Sequence, residues 1–126
     1  MQAEAITVLA VDDQEVFRRA MASLIEATPG FRQVGEAASG AEALALAADV
    51  APDLVLLDVR MPDMDGIETA RRLAEANDRI VVVLISLDEV PELEAAPAAA
   101  GAAAYVRKQD LSTRKLRELW TRVSRR

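Results

Sequence analysis

The chain has 126 residues, with Asp and Glu numbering 21 against 15 Lys and Arg for a net charge of -6, an apolar fraction of 52%, and neither cysteine nor histidine. A chain of this length forms one domain, residues 1–126, that buries about two-thirds of its unfolded surface. The acidic balance opposes a nucleic-acid face, the lack of cysteine excludes disulfides and thiolate metal sites, and the lack of histidine excludes most zinc sites, histidine general bases and a histidine phosphodonor.

Residues 6 to 11 form a continuous apolar run, the pattern of a strand buried on both faces. Residues 14 to 27 follow as a helix, with Phe17, Met21, Leu24 and Ile25 on one stripe, and Thr28-Pro29-Gly30 stops it. A short strand spans 32 to 37. Ser39 then caps a second helix, with Glu42 completing a capping box, and that helix runs to about Asp49. After Pro52, Asp53 to Leu57 is the next strand. Met61 to Gly66 has turn chemistry, in which Asp63 and Asp65 read as turn and cap residues. The third helix reaches about Ala76 and turns Ile67, Ala70 and Leu73 inward. Ile80 to Ile85, the most β-branched run, is expected to be central.

The fourth helical segment contains two prolines. Pro91 fits the first turn, but Pro97 cannot sit inside a helix without a kink or a penalty of roughly 3 kcal/mol. A short, bent or partly unwound helix is the expectation. Ala102 to Val106 is the last strand, and Ser112 to Val123 the last helix, with Leu116, Leu119, Trp120 and Val123 on its apolar side and TRVSRR as a frayed helix end or the start of a further segment. Trp120 reads as core or edge packing, with an interface contact as the alternative. The longest strongly apolar run, Ile80 to Leu87, is far below the roughly 18 residues of a membrane span. The N-terminal MQAEAITVLAVDD lacks the parts of a signal peptide, so a cytoplasmic protein is expected.

Strands alternating with helices predict an α/β fold: a doubly wound five-stranded parallel sheet in the order 2-1-3-4-5. Ligands of such sheets bind at the carboxyl ends of the strands flanking the switch point. Asp12, Asp13, Asp58, Ser86 and Lys108 all fall at strand ends, and so should share that edge. A lone Asp after a strand is commonly a helix cap, but joint placement on four strand ends points to chemistry. Neighbouring carboxylates repel, and a hard divalent cation relieves them. Asp58, on a strand expected between the Asp12/Asp13 strand and the Ser86 strand, is the candidate nucleophile for an aspartyl phosphate. Lys108 offers a point charge and Ser86 a hydroxyl donor to a phosphoryl group.

VDD at 11–13, LVLLDVRMPDMDG at 54–66, LIS at 84–86 and YVRK at 105–108 resemble the receiver domain of bacterial two-component response regulators, a flavodoxin-like fold, over essentially the whole chain. The resemblance implies phosphorylation of Asp58 by a sensor histidine kinase and slow self-dephosphorylation, without conventional enzyme activity. It implies Mg2+ (or Mn2+) held by Asp13, Asp58 and the backbone carbonyl of Arg60, with Asp12 acting mainly through water. Lys108 would contact the phosphoryl group, and Ser86 and Tyr105 would move together as the switch. Tyr105 could equally be plain packing. FRQVGEAASGAEAL and AYVRKQDL resemble a subfamily whose receiver precedes a helix-turn-helix domain. DNA would then be reached only through such an output domain. The chain reads as a receiver excised from a transcription regulator, with a single-domain regulator as the alternative.

Several positions depart from the family pattern. Leu87 stands where a small residue is usual, and either narrows the approach to Asp58 or tucks into helix packing. Arg60 and Asp88 sit at the rim and are expected to pair across it. Gln109 replaces a frequent proline. In the resembled family the face made by helix 4, strand 5 and helix 5 carries the signal outward, so a broken helix 4 bears on switching and on a homodimer formed there. Rival readings are a phosphorylation-independent pseudo-receiver acting as an interaction module, a flavodoxin-like cofactor binder, and a phosphatase. The acidic pair after the first strand opposes the cofactor binder, since a phosphate loop there needs glycines. No cap domain or second general acid supports the phosphatase.

Overall fold

The computed structural model describes residues 5–124. The reading of TRVSRR as a frayed end falls partly on 125–126, outside the described residues, as do residues 1–4 of the N-terminal segment. Strands β1 (Ile6–Val11), β2 (Phe31–Ala37), β3 (Leu54–Asp58), β4 (Val81–Ser86) and β5 (Ala104–Arg107) alternate with helices α1 (Glu15–Ala27), α2 (Gly40–Val50), α3 (Gly66–Ala76), α4 (Pro91–Ala95) and α5 (Thr113–Val123). The strands are all parallel, in the order β2-β1-β3-β4-β5. β4 is an interior strand, but the middle place belongs to β3, which carries Asp58 at its end.

The unbroken apolar runs are explained by burial on both faces. Leu9, Val11, Val55, Leu57, Val82 and Leu84 pack with residues of α2, α3 and α4. Their neighbours Val8, Ala10, Leu54, Leu56, Val83 and Ile85 pack on the other face with α1 and α5. Truncating a fully buried leucine such as Leu56 to alanine removes roughly 2–5 kcal/mol. A rigid sheet of this kind holds its strand ends in fixed relation.

Some boundaries shift for identifiable reasons. Gln14 is the N-cap of α1 rather than its first residue. Asp53 precedes β3, and its carboxylate accepts from the backbone N–H and the hydroxyl of Thr7, at 2.9 and 3.1 Å. The Ser39 hydroxyl accepts from the Glu42 N–H at 3.1 Å, but the Glu42 carboxylate reaches back one residue further than a capping box requires, to the Ala38 N–H at 2.9 Å. α4 has only five residues, with Pro91 in its first turn; the chain breaks at Ala96 and re-forms as a 3-10 turn, Pro97–Ala100. β5 therefore begins at Ala104, two residues later than the apolar pattern suggests. Trp120 is half-buried against the core on the α1 and α5 face.

Candidate functional site

Parallel strands of similar register bring the ends of β1, β3, β4 and β5 to one edge of the sheet. Asp13, Asp58, Ser86 and Lys108 line one cleft of about 260 Å3 there, together with Gln14, Arg60, Leu87 and Asp88. One carboxylate oxygen from each of Asp12, Asp13 and Asp58 lies within 4.8 Å of the others; Asp12 and Asp58 are buried and Asp13 is exposed. All five strand-end residues singled out by the sequence thus meet.

Asp12 is anchored at four points. Its N–H donates to the Ala37 carbonyl at 3.1 Å, and its carbonyl accepts from Arg18 Nη1 at 2.8 Å. Oδ1 accepts from the Gln14 N–H at 2.9 Å. Oδ2 lies 2.6 Å from Lys108 Nζ, an ion contact without hydrogen-bond alignment, so this buried oxygen relies on charge alone. Lys108 Nζ is also 3.5 Å from Asp58 Oδ2, and 3.8 Å from the centre of the Phe17 ring. The ring face is electron-rich, and adds a cation–π contact to an ammonium held largely out of water.

Asp58 has little compensation. Burial, and then the nearby Asp12 charge, raise its pKa from 3.8 to about 6, against the opposing pull of Lys108 and of the Arg60 N–H, which donates to Oδ1 at 3.3 Å. Excess negative charge on three converging oxygen ligands suits a hard divalent cation. The donor set therefore fits the divalent-metal site of receiver domains.

The turn after β3 depends on Gly66. A Cβ there would collide with the Asp58 carbonyl and lie 2.6 Å from Val59 Cα, so only glycine lets α3 start so close to the strand end. Asp65 caps α3 by accepting from the Glu68 N–H at 2.8 Å. Asp63 also caps a helix, but a distant one: its two oxygens accept from the N–H groups of Gly40 and Ala41, each at 3.1 Å, at the start of α2. These two bonds hold its carboxyl below the ordinary Asp range. The loop carrying Arg60 is thereby tied to α2.

On the β4 side, the Ser86 hydroxyl contacts the Asp88 carbonyl and lies 2.7 Å from the Tyr105 hydroxyl, which itself reaches the same carbonyl at 2.9 Å. Tyr105 is therefore more than packing. Arg60 Nη2 and Asp88 Oδ2 approach to 3.4 Å across the mouth of the cleft, as their rim positions predict. Leu87 is 50% exposed, so it is not tucked into helix packing. It lines both the carboxylate cleft and an adjoining apolar one of about 380 Å3 under Phe17, Leu24 and Leu111.

Sequence reasoning missed three contributors. Phe17 reads in sequence only as part of the core stripe, yet its ring supports Lys108. Asp63 reads in sequence as a turn or cap residue, and only the fold shows that the helix it caps is α2. Arg18, with a side chain only 16% exposed, carried no sequence signal.

A doubly wound sheet with a carboxylate trio, a lysine and a hydroxyl at its switch-point edge defines a phosphoacceptor signalling domain. The chain belongs to the response regulator receiver domain family, whose sequence profile matches residues 8–120. It works as a phosphorylation-dependent switch, with intrinsic phosphotransfer and dephosphorylation in place of conventional catalysis. Over 105 residues it is 37% identical to protein-glutamate methylesterase/protein-glutamine glutaminase 2 of Methanospirillum hungatei, a match covering 82% of this chain and 30% of that protein. Over 108 residues it is 39% identical to the transcriptional regulatory protein LiaR of Bacillus subtilis, covering 82% of this chain and 49% of that one. The chain thus spans about half or less of these relatives. The structure of the signal receiver domain of NarL from Mycobacterium tuberculosis superposes with a TM-score of 0.88 at 31% identity, covering 98% of this chain and all of that one. Among the described residues, no helix is long and apolar enough to cross a membrane.

Proposed function

We propose that Asp58 accepts a phosphoryl group from a phosphohistidine of a sensor histidine kinase. The carboxylate trio carries this reading, with ligand oxygens within 4.8 Å of one another and Asp58 poorly compensated at the end of the middle strand. An Asp58 oxygen forms the new O–P bond as the P–N bond to the donor imidazole breaks, and the departing nitrogen keeps the electron pair. Asp12, Asp13, Asp58 and the Arg60 backbone carbonyl would hold Mg2+ (or Mn2+). When bound, the ion would offset the charge of the attacking carboxylate and the incoming phosphoryl oxygens.

Lys108 neutralises a phosphoryl oxygen, for which its ammonium must turn from Asp12 toward Asp58. Ser86 donates to another oxygen after leaving the Asp88 carbonyl, and Tyr105 moves with it. Dephosphorylation is attack of water on phosphorus, which releases inorganic phosphate and restores the Asp58 carboxylate. That water must pass Arg60, Leu87 and Asp88.

In its natural setting, residues 1–126 act as the receiver domain of a cytoplasmic transcription regulator that meets DNA through a separate output domain. The subfamily-like stretches FRQVGEAASGAEAL and AYVRKQDL, and the likeness to LiaR and to the NarL receiver, favour this over a methylesterase output. A homodimer over α4, β5 and α5 would draw on an α4 of only five residues.

Intact-mass measurement after treatment with acetyl phosphate and Mg2+ tests the central claim. A gain of about 80 Da, one phosphoryl group, is expected in the native chain and not in Asp58→Asn. Labelling that persists in Asp58→Asn would move the acceptor elsewhere, and an unlabelled native chain would favour the phosphorylation-independent interaction module.

A further inference from the structure

We infer that Arg18, balanced by Glu36, is a positioning residue for the cation-holding carboxylates. This rests on the metal reading above. Arg18 sits one turn into α1, and its guanidinium makes two directed contacts. Nη1 donates to the Asp12 carbonyl at 2.8 Å, and Nε donates to Glu36 Oε1 at 3.1 Å, near the end of β2. The fork therefore joins α1, the β1 terminus and β2.

The Asp12 carbonyl belongs to the peptide unit whose two flanking Cα atoms bear the Asp12 and Asp13 carboxylates. A peptide unit is planar and rigid, so any displacement of it carries both attachment points together, and a bond to its carbonyl restrains both. Arg18 fixes that plane from outside the cleft, while the Ala37 carbonyl fixes the Asp12 N–H on the other side. Arginine suits the task because its donors are held in a rigid, always-charged fork; lysine would supply only a mobile point charge.

Charge explains Glu36. A guanidinium beside a cation site repels the cation, and this one is close to the chain segment that bears two ligands. Its ion pair with Glu36, half exposed on β2, cancels most of that field. The pair orders the ligands without opposing the ion.

Electron paramagnetic resonance of Mn2+ titrated into the full chain tests this, since it counts free ion without any phosphoryl transfer. Arg18→Met should weaken Mn2+ about tenfold, within the range found when partners of metal ligands are removed. Glu36→Ala should weaken it less, and high salt should erase that loss, because the uncovered guanidinium acts through a screened field. Thr28→Val serves as the stability control, since it removes a buried hydroxyl bond to the Leu24 carbonyl at the far end of α1 and should leave Mn2+ affinity unchanged. If Arg18→Met does not fold, Arg18→Lys carries the comparison, with weakened Mn2+ binding at a melting temperature near the native value. Native affinity in a folded Arg18 variant, or a loss matched by Thr28→Val at equal destabilisation, overturns the inference. A native chain that binds no Mn2+, like Asp13→Asn, overturns the metal reading instead.

Discussion

Lys108 stands closer to Asp12 than to Asp58, its ammonium 2.6 Å from one carboxylate and 3.5 Å from the other. The lysine thus compensates Asp12 and leaves Asp58 the less satisfied of the two. Burial and the Asp12 charge are thereby left to raise the Asp58 pKa to about 6.

The Asp58 pKa has a direct consequence for stability. The folded value of about 6 lies above the ordinary 3.8, so the folded state holds this proton more tightly than the unfolded state. The proton's stabilising contribution is complete below 3.8 and is lost as pH rises through about 6. At pH 7 the metal-free Asp58→Asn variant should be more stable than the native chain by about 1–2 kcal/mol, less than the full value of the shift because water reaches the cleft. Urea melts at pH 4 and pH 7 measure this; an equal difference at both would contradict it. Removing the Asp12 charge should lower the Asp58 midpoint, and Lys108→Met should raise it, as read by carboxyl NMR.

Ser86, Tyr105 and the Asp88 carbonyl form a triangle of three oxygens that has only two protons to share. Both hydroxyls are therefore engaged with each other and with the loop, and neither is free to donate toward Asp58. Tyr105→Phe removes one proton and one anchor. Faster amide exchange at 88–90 is expected in the unphosphorylated protein, with global stability lowered by about 0.5–1.5 kcal/mol. Exchange identical to the native chain would show that Tyr105 does not hold the loop.

The Arg60–Asp88 pair spans the cleft mouth with side chains 77% and 65% exposed, so it contributes at most about 1 kcal/mol to stability. Its effect should lie in access. Arg60→Ala should shorten the lifetime of the phosphorylated state by up to about fivefold, equivalent to about 1 kcal/mol in the barrier, at unchanged melting temperature. A phosphate-release time course identical to the native one refutes the gate.

Leu87 is half exposed over the same cleft. Leu87→Ala should quicken labelling by acetyl phosphate and cost little stability, since the side chain is poorly buried. Stopped-flow rates equal to those of the native chain would remove Leu87 from the access path.

α4 buries Leu93, and the 3-10 turn after it buries Ala100, but most of their other side chains are small or exposed. Few buried contacts permit local opening. Amides of 91–100 should exchange faster than those of α3. Pro97→Ala should raise helical circular dichroism by joining the two segments; protection equal to α3 in the native chain would argue against a loose α4.

The sequence already specifies a doubly wound parallel sheet, since runs such as LVLL at 54–57 are apolar at every position and can be satisfied only by burial on both faces. It also determined which edge carries the charges, since each charge follows its strand and parallel strands end together. The break at Pro97 was legible for a local reason, because a proline ring cannot occupy a helix interior wherever that helix lies. The partners were decided only in three dimensions. Asp63 bonds to α2 rather than to its own turn, Phe17 lies beside Lys108, and Arg18 reaches the Asp12 carbonyl. Periodicity fixes which face a side chain leaves from; strand twist, helix docking and side-chain reach fix what it meets, and these belong to elements far apart in the chain.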